Sequence, residues 1–519
     1  MDTKALRQKI LDLAIRGKLV PQDPNDEPAE VLLERIREQK QQMLKEGKLK
    51  KKDIKNDTII FKGEDNLHYE KFADGTVKCM EDEIPFEVPE GWAWCKLNDI
   101  YNFIDYRGAT PTKITNGIPL VTAKNVKSGY IDYTIDDYIS EEEFKERQQR
   151  GISKKGDILF TTEAPLGNAA LADMEKFSAG QRLITFQQYG SKNELINYVM
   201  LMFILSDFFQ QQLYVNKTGS TVAGIKAAIL KTLWIPVPPY NEQLRISNTL
   251  KSAINLIDSI SKNKEILSTS ISNTKSKILD LAIRGKIVPQ DPNDEPASVL
   301  LERIRAEKEE LIKQGKIKRD KKESVIFKGD DNSYYEKIGN KVNCIDEEIP
   351  FELSEGWAFI RLKTAWELIS GRDLSPSEYN DKNDGIPYIT GASNFRNGHI
   401  SLVRWTTVPQ VITRRGDLLL TCKGTIGEIA HNNFGEAHIA RQIMAIRNIY
   451  SLNVDFLALC IEYSMTKIKQ AANGLIPGIS REDILNLVIP IPPTKEQENI
   501  CNKLKATFSA IEHIEKSLN

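Results

Sequence analysis

The sequence predicts two α/β (α+β) domains in tandem, separated by long antiparallel coiled-coil helices in a circular, pseudo-two-fold organisation. Three observations predict this fold class. A long internal repeat returns half a chain later. A stretch of 44 residues, Asn241 to Arg284, contains neither proline nor glycine. Between the repeat copies lie two regions of short β-branched segments, each closing on an apolar helix.

The repeat decides the architecture. Lys9 to Arg37 reads KILDLAIRGKLVPQDPNDEPAEVLLERIR, and Lys277 to Arg305 reads KILDLAIRGKIVPQDPNDEPASVLLERIR. Only Leu19 against Ile287 and Glu30 against Ser298 differ. Weaker matches follow in the same order: Phe61-Lys62-Gly63 with Phe327-Lys328-Gly329, and Glu83-Ile84-Pro85-Phe86-Glu87 with Glu348-Ile349-Pro350-Phe351-Glu352. Gly91-Trp92 returns as Gly356-Trp357, Gly117-Ile118-Pro119 as Gly385-Ile386-Pro387, and Gly156-Asp157-Ile158-Leu159 as Gly416-Asp417-Leu418-Leu419. Ile235-Pro236-Val237-Pro238-Pro239 returns as Ile489-Pro490-Ile491-Pro492-Pro493. The period is too long for a solenoid, so each repeat is a domain with its helices. Near-identity in one segment points to one job done twice, and divergence elsewhere to one fold reading two different things.

The central stretch reads as a single helix of about 65 Å, capped by Asn241 and ended by Gly285. Its seam is Leu250, Ile254, Ile257, Ile271 and Ile278 on heptad spacing. Thr494 to Gln497 has the capping-box pattern, and Leu504, Phe508, Ile511 and Leu518 form a stripe behind it. Thr3 to Arg16 opens the chain with Leu6, Ile10 and Leu13 on one face, which would let it complete the particle beside the C-terminal helix. Asp26 and Asp294 are predicted caps, with Pro28 and Pro296 in the first turns of amphipathic helices over Val31 to Leu44 and Val299 to Ile312. The α/β regions contain strands at Ile158 to Thr162 and Asp417 to Thr421, and apolar helices at Leu195 to Leu213 and Val454 to Ala471. The resulting division is 1–47 helical, 48–91 basic linker or insert, 92–239 first α/β domain, 240–315 central helical spacer, 316–356 second basic linker or insert, 357–493 second α/β domain, and 494–519 closing helix.

Composition narrows the function. The 519 residues are 40% hydrophobic and 28% charged, ordinary for a globular chain with sizeable cores. With 71 basic and 72 acidic residues the net charge is -1, so any nucleic-acid binding must use segregated patches. Six cysteines without a CxxC pair fit a reducing cytoplasm and no Cys-rich zinc site. The N-terminus has no signal-peptide core, and the most apolar run, Val199 to Leu205, is too short for a membrane. Val237-Pro238-Pro239-Tyr240 mimics the Asn/Asp-Pro-Pro-Tyr of amino-methyltransferases, but valine cannot accept the amine hydrogen bond, and the second copy reads Ile491-Pro492-Pro493-Thr494. Both are read as rigid domain exits. No GxxxxGK[ST] loop is present. The five histidines (His68, His399, His431, His438 and His513) show no metal spacing, and no metal site is expected.

The duplicated LAIRGK-VPQDPNDEPA segment, the Gly-Trp pair opening each domain, the GDILFTT/GDLLLTC block and the IPxPP-xxEQ exit together resemble the specificity subunit of Type I restriction–modification enzymes. The likeness covers essentially the whole chain. It implies a non-catalytic subunit with two target recognition domains, each reading half of a split double-stranded DNA target from the major groove. It also implies two methyltransferase subunits that use S-adenosylmethionine, and motor–nuclease subunits that use ATP and Mg, with no cofactor in this chain and no membrane. The stretches Lys48 to Pro89 and Lys316 to Ser354 are longer than the family's simplest members need. Their lysine tracts, Lys48 to Lys52 and Lys316 to Lys322, have two readings, phosphate contact and solvated linker.

Residues facing DNA should be Arg, Lys, Asn, Gln, Ser or Thr on loops, with Arg and Lys suited to guanine and Asn and Gln to adenine. In the first domain these are Arg107, Thr110, Thr112, Lys113, Lys124, Asn125, Lys127, Gln181, Arg182, Lys217, Thr218 and Ser220. In the second they are Arg372, Ser375, Ser377, Ser393, Asn394, Arg396, Lys423, Thr425, Arg441 and Gln442. The glycine-flanked loops Thr122 to Gly129 and Thr390 to Gly398 are the better candidates as groups. Two competing functions stand beside this one. A self-contained methyltransferase or nuclease requires a cofactor or metal site that the sequence lacks. A coiled-coil scaffold without sequence-specific DNA binding leaves the paired, divergent domains unexplained.

Overall fold

The computed structural model describes residues 2–54, 57–106, 110–189, 194–219, 223–317, 319, 323–396, 398–450, 452–471 and 478–518. Contacts divide the chain into two compact units, Met1–Lys264 and Glu265–Asn519. The boundary falls inside one helix of 44 residues, Tyr240–Ile283, the length expected of a stretch free of proline and glycine. Both units are built from the same parts in the same order.

In the first unit a leading helix, Thr3–Ile15, and a second helix, Ala29–Lys45, come before the α/β domain. In the second unit the last turns of Tyr240–Ile283 take the place of the leading helix, and Ala297–Lys313 follows. The buried face of Thr3–Ile15 is Leu11, Ala14 and Ile15. Leu6, Ile10 and Leu13, the expected face, are only half-buried, so the contact surface is rotated by one position. The second helices begin at Ala29 and Ala297, one residue past Pro28 and Pro296, and the predicted caps Asp26 and Asp294 face basic residues instead. Asp26 accepts from Arg245 (2.5 Å), and Asp294 lies 3.8 Å from Lys495.

The stretches expected as basic linkers or inserts contain folded sheets. Ile59–Lys62, His68–Lys71 and Val77–Cys79 form a three-stranded antiparallel sheet. Ser324–Lys328, Tyr334–Ile338 and Lys341–Cys344 repeat it. Each small sheet is tied to the first strand of its domain through a buried glutamate, Glu70 to Lys96 in one unit and Glu336 to Arg361 (2.7 Å) in the other.

Each α/β domain is centred on a four-stranded antiparallel sheet. Its order is Tyr101–Asp105, Leu183–Gln188, Ile158–Thr161, Ala169–Leu171 in the first unit, and Trp366–Ser370, Ile443–Asn448, Leu418–Thr421, Ile429–His431 in the second. Smaller sheets around Ile118–Val121 and Ile386–Ile389 lie alongside. The apolar segment expected as one helix over Leu195 to Leu213 is two helices, Asn197–Ile204 and Asp207–Val215, because the Ser206 hydroxyl caps the second. Its counterpart Val454–Ala471 runs unbroken.

The two ends of each domain are clamped together. Ala93–Lys96 pairs with Trp234–Val237, and Ala358–Arg361 with Val488–Ile491. This brings the Gly-Trp block beside the IPxPP block. At the clamp Trp92 Nε1 donates to Glu242 Oε2 (2.9 Å), and Trp357 Nε1 to Glu496 Oε2 (2.9 Å). Both carboxylates are buried, at 1% and 3% exposure. The neighbouring glutamines close the joint. Gln243 donates to the Pro238 carbonyl (2.9 Å) and accepts from Ile196 N–H (2.8 Å). Gln497 donates to the Pro492 carbonyl (2.9 Å) and accepts from Asn453 N–H (3.4 Å). The EQ of the exit motif is therefore a joint between domain and helix, and Gln497 does not complete a capping box. The Gly-Lys turn of the repeat packs on the same tryptophans. At Gly17 (φ 65°) a Cβ would lie 2.2 Å from Pro89, and at Gly285 (φ 68°) 2.7 Å from Trp357, so no other residue fits.

Removing one partner of a buried charged hydrogen bond costs about 1–3 kcal/mol. Glu242→Ala and Glu496→Ala should each lower the stability of the chain by that amount in urea denaturation, with Glu→Gln losing less. An unchanged midpoint for either alanine variant would show that the joint carries no stability.

Candidate nucleic-acid interface

In each domain one turn leads into the central strand, and neighbouring loops converge on it. In the first domain the turn is Gly180-Gln181-Arg182. Gly180 N–H donates to the Val121 carbonyl (2.7 Å), and the Arg182 carbonyl accepts from Thr162 N–H (3.1 Å). In the second the turn is Ala440-Arg441-Gln442. Ala440 N–H donates to the Ile389 carbonyl (2.9 Å), and the Gln442 carbonyl accepts from Cys422 N–H (2.8 Å). Two strands thus hold the backbone of each turn from either side while its side chains face outward.

The side chains differ between the domains. In the first, Thr110 Oγ1 donates to Gln181 Oε1 (2.8 Å), and Glu163 lies 3.1 Å from Arg182 Nε. Thr110, Lys113, Lys124, Gln181 and Arg182 line one depression of about 240 Å³. Five of the residues expected to face DNA are therefore neighbours. Glu163 bridges to Gly224, which also bridges to Thr218. In the second domain Asp373 lies 2.7 Å from Arg441 Nε and accepts from Arg441 N–H (3.0 Å). With its amide nitrogen turned toward them, Gln442 donates to Asp373 Oδ1 (3.2 Å) and the Thr390 carbonyl (3.0 Å). Lys423 bridges to Gly478 beside the same turn.

The remaining candidates are placed as follows. Arg107 and Ser220 lie outside the described residues. Thr112 is exposed, and its N–H donates to Glu143 (3.0 Å). Lys113 pairs with Asp137 (2.7 Å) and Lys127 with Asp132 (3.8 Å). The Lys217 ammonium sits 3.4 Å from the ring centre of the exposed Tyr214. Arg372, Ser377, Ser393, Lys423 and Thr425 are exposed. Arg396 lies in a short hairpin with His399. The Ser375 hydroxyl is committed to a capping bond with Glu378 (2.7 Å).

Asn125 and Asn394 are corrections. They are 3% and 1% exposed, and their amides close their own loops. Asn125 accepts from Thr122 N–H (2.9 Å) and donates to the Asp132 and Ile135 carbonyls (3.0 and 2.8 Å). Asn394 accepts from Thr390 N–H (3.0 Å) and donates to the Ser401 carbonyl (2.8 Å). A polar side chain with its donors and acceptors matched indoors has none to offer a base. His438 is likewise internal: Nε2 donates to the Arg372 carbonyl (2.8 Å) and Nδ1 accepts from Val411 N–H (3.1 Å). His68, Glu81 and Glu87 are the one group with metal-like spacing among the described residues. The His68 Nδ1 already bonds Glu81 (3.1 Å).

Glu163 and Asp373 were not foreseen. An acid is the wrong charge to meet phosphate, and nothing local marks it as the partner of a basic residue far along the chain. The Gly-Asp pair of the GDIL block also has its role here. Asp157 accepts from Lys154 N–H (2.7 Å) and Gln187 Nε2 (2.8 Å). Asp417 accepts from Arg414 N–H (2.8 Å) and from Arg447 through Nε (3.1 Å) and Nη2 (2.8 Å). Arg447 also reaches the Ile412 carbonyl (3.1 Å), as Gln187 reaches that of Ile152 (3.0 Å). Burial pushes the unpaired-by-charge Asp157 up to about 6. A carboxyl raised above its unfolded value contributes stability that is full below about 3.8 and lost as the pH rises through about 6. Gln187→Arg should stabilise the chain at pH 7.5 by about 1–3 kcal/mol and flatten this dependence. Thermal unfolding measured from pH 5 to 8 checks it, and an Arg variant no more stable than the parent would refute it.

The family model described as the Type I restriction modification DNA specificity domain matches residues 89–268 and 354–519. Each match begins at the Gly-Trp block and runs into the exit helix, leaving the three-stranded sheets outside. The chain is 27% identical to the Type I restriction enzyme EcoAI specificity subunit of Escherichia coli, over 97% of this chain and 90% of that one. It is 26% identical to the EcoEI specificity subunit of Escherichia coli, over 99% and 90%. A chain solved in a study of complex assembly and conformational transition of the type I R-M system shares the fold, with TM-score 0.55, 19% identity and coverage of 84% of this chain and 94% of that one. No helix among the described residues is long and apolar enough to cross a membrane.

Proposed function

The chain belongs to the Type I restriction–modification DNA specificity family, and on that premise we propose that each α/β domain reads one half of a bipartite double-stranded DNA target while the helices set the distance between halves. The chain is a specificity subunit and does no chemistry itself. Adenine-N6 methylation with S-adenosylmethionine falls to two methyltransferase subunits. Cleavage with ATP and Mg falls to motor–nuclease subunits, all in the cytoplasm. The observation that carries this reading is the pair of turns at 180–182 and 440–442, held by equivalent backbone bonds and bearing different outward side chains. A scaffold that touched only protein would have no use for one frame presenting arginine and glutamine in opposite orders.

The repeat supports two copies of one partner. Part of its identity serves internal contacts such as Gln22 to Glu242 (3.1 Å). Val31 and Val299 are exposed, at 43% and 40%, and identical in both copies.

A genome-wide map of N6-methyladenine in cells with and without this gene tests the reading. A split motif should lose its methylation on deletion. An unchanged map in a strain with active partner subunits would put the scaffold reading in its place. The distance role has its own test. Removing seven residues between Ser261 and Lys275 shortens the helix by about 10 Å, about three base pairs of spacer. An unaltered spacer in the shortened variant would end the ruler idea.

A further inference from the structure

We propose that Arg182 and Arg441 each bind a guanine, one in each half of the target, with Glu163 and Asp373 holding them in position; this rests on the bipartite reading above.

Both arginines sit on the fixed turn before the central strand, at neighbouring positions of the same fold. Each forms an ion pair with a carboxylate from a neighbouring loop, without a hydrogen bond from the guanidinium among the described residues; the nearest atom is Nε, 3.1 Å from Glu163 in Arg182 and 2.7 Å from Asp373 in Arg441. Among the described residues neither has a hydrogen-bond partner at Nη1 or Nη2. A carboxylate at Nε restrains the guanidinium and leaves two parallel N–H groups at its tip. Those groups match the O6 and N7 acceptors that guanine presents in the major groove. Both side chains stay accessible, 51% for Arg182 and 65% for Arg441. The carboxylates also repel the phosphate backbone, which turns the arrangement against a non-specific contact and toward a base edge.

The turn also inverts its dipeptide between domains. Gln181-Arg182 precedes Leu183, whereas Arg441-Gln442 precedes Ile443. The arginine therefore projects from neighbouring positions, and its buttress comes from a different loop each time. Glu163 follows the strand Ile158–Thr161, and Asp373 follows Trp366–Ser370. At the position of Glu163 the second domain has Lys423, which could not buttress an arginine. The acid has moved with the arginine. A surface ion pair retained by chance would have no reason to be rebuilt from another loop.

The test is the methylation map repeated with Arg182→Ala, Arg441→Ala and the matching Lys variants, in cells carrying the partner subunits, with thermal unfolding of each purified chain as a folding control. The parent map should show a split motif with a guanine in each half. Arg182→Ala should relax one guanine in one half by about tenfold or more, and Arg441→Ala one guanine in the other half. Lysine keeps the charge but lacks the fork, so each Lys variant should relax the same position while a phosphate contact would survive it. If the parent yields no split motif, the bipartite reading itself fails and the proposal with it. If the split motif is present but unchanged in folded Ala variants, or if the relaxed position is not guanine, the proposal is overturned and the reading stands.

Discussion

The hydrogen bond from a buried tryptophan to a buried glutamate is the constraint on which the rest of each unit depends. Trp92 opens the first domain and Glu242 opens the helix that leaves it, 150 residues later. Their bond, with the adjacent strand pair, makes the two ends of the domain a single joint. The joint then fixes the direction in which the exit helix departs. It also receives the repeat segment, because Gln22 reaches Glu242 and Gly17 packs against the opening tryptophan. A carboxylate this buried is tolerable only with its partners in place, so the joint forms as a whole. The Trp357–Glu496 bond repeats the joint, with Gln290 turned to the Glu355 carbonyl (3.4 Å) where Gln22 reaches Glu242. The repeated joint explains why motifs at opposite ends of each domain recur together in both halves.

Other buried charges follow the same plan with different chemistry. Lys40 pairs with Asp57 (2.5 Å), and its counterpart Lys308 pairs with Glu323 (3.0 Å). Lys96 meets Glu70, while Arg361 meets both Glu336 (2.7 Å) and Glu348 (2.7 Å). The requirement preserved is neutralisation at a given place, and the residue types that meet it have drifted. Asp157 shows the cost of drift in the other direction. Gln187 stands where the other unit has Arg447, and burial pushes the Asp157 carboxyl up to about 6.

Much of this was legible in the sequence because it depends on period and punctuation. The long helix could be read from an absence of helix breakers, and the duplication from identity. The three-stranded sheets could not. Their strands are three to five residues long and expose apolar residues such as Val77, Phe327 and Val342 beside lysines, so neither alternation nor length separates them from a basic linker or insert. Side-chain type was also a poor guide to the interface. Asn125 and Lys124 are adjacent loop residues of suitable chemistry, yet one is 3% exposed and closes the loop while the other lines the depression. Glu163 and Asp373 show the converse, since their relevance appears only once the fold brings them to an arginine.

The distribution of identity between the halves follows from where each residue's constraint originates. Exposed side chains on a turn fixed by backbone bonds can change at a stability cost near zero, typically within about 0.5 kcal/mol. The dipeptides at 181–182 and 441–442 could therefore diverge without disturbing the strand behind them. The joint residues could not, because each change there strands a buried partner. Folding accounts in this way for the conserved tryptophans, glutamates and glycines, and for the divergent turns. It accounts for Pro24 and Pro292 as well, since each is the second residue of a turn closed by Asp26 N–H to the Asp23 carbonyl (3.0 Å) or Asp294 N–H to the Asp291 carbonyl (3.0 Å). It is least demanding at Val31 and Val299, which are exposed and yet identical in both copies. Burial alone leaves the two valines freer to change than the joint residues. On the reading of two copies of one partner, the constraint on the two valines acts from outside the chain and on both copies in the same way.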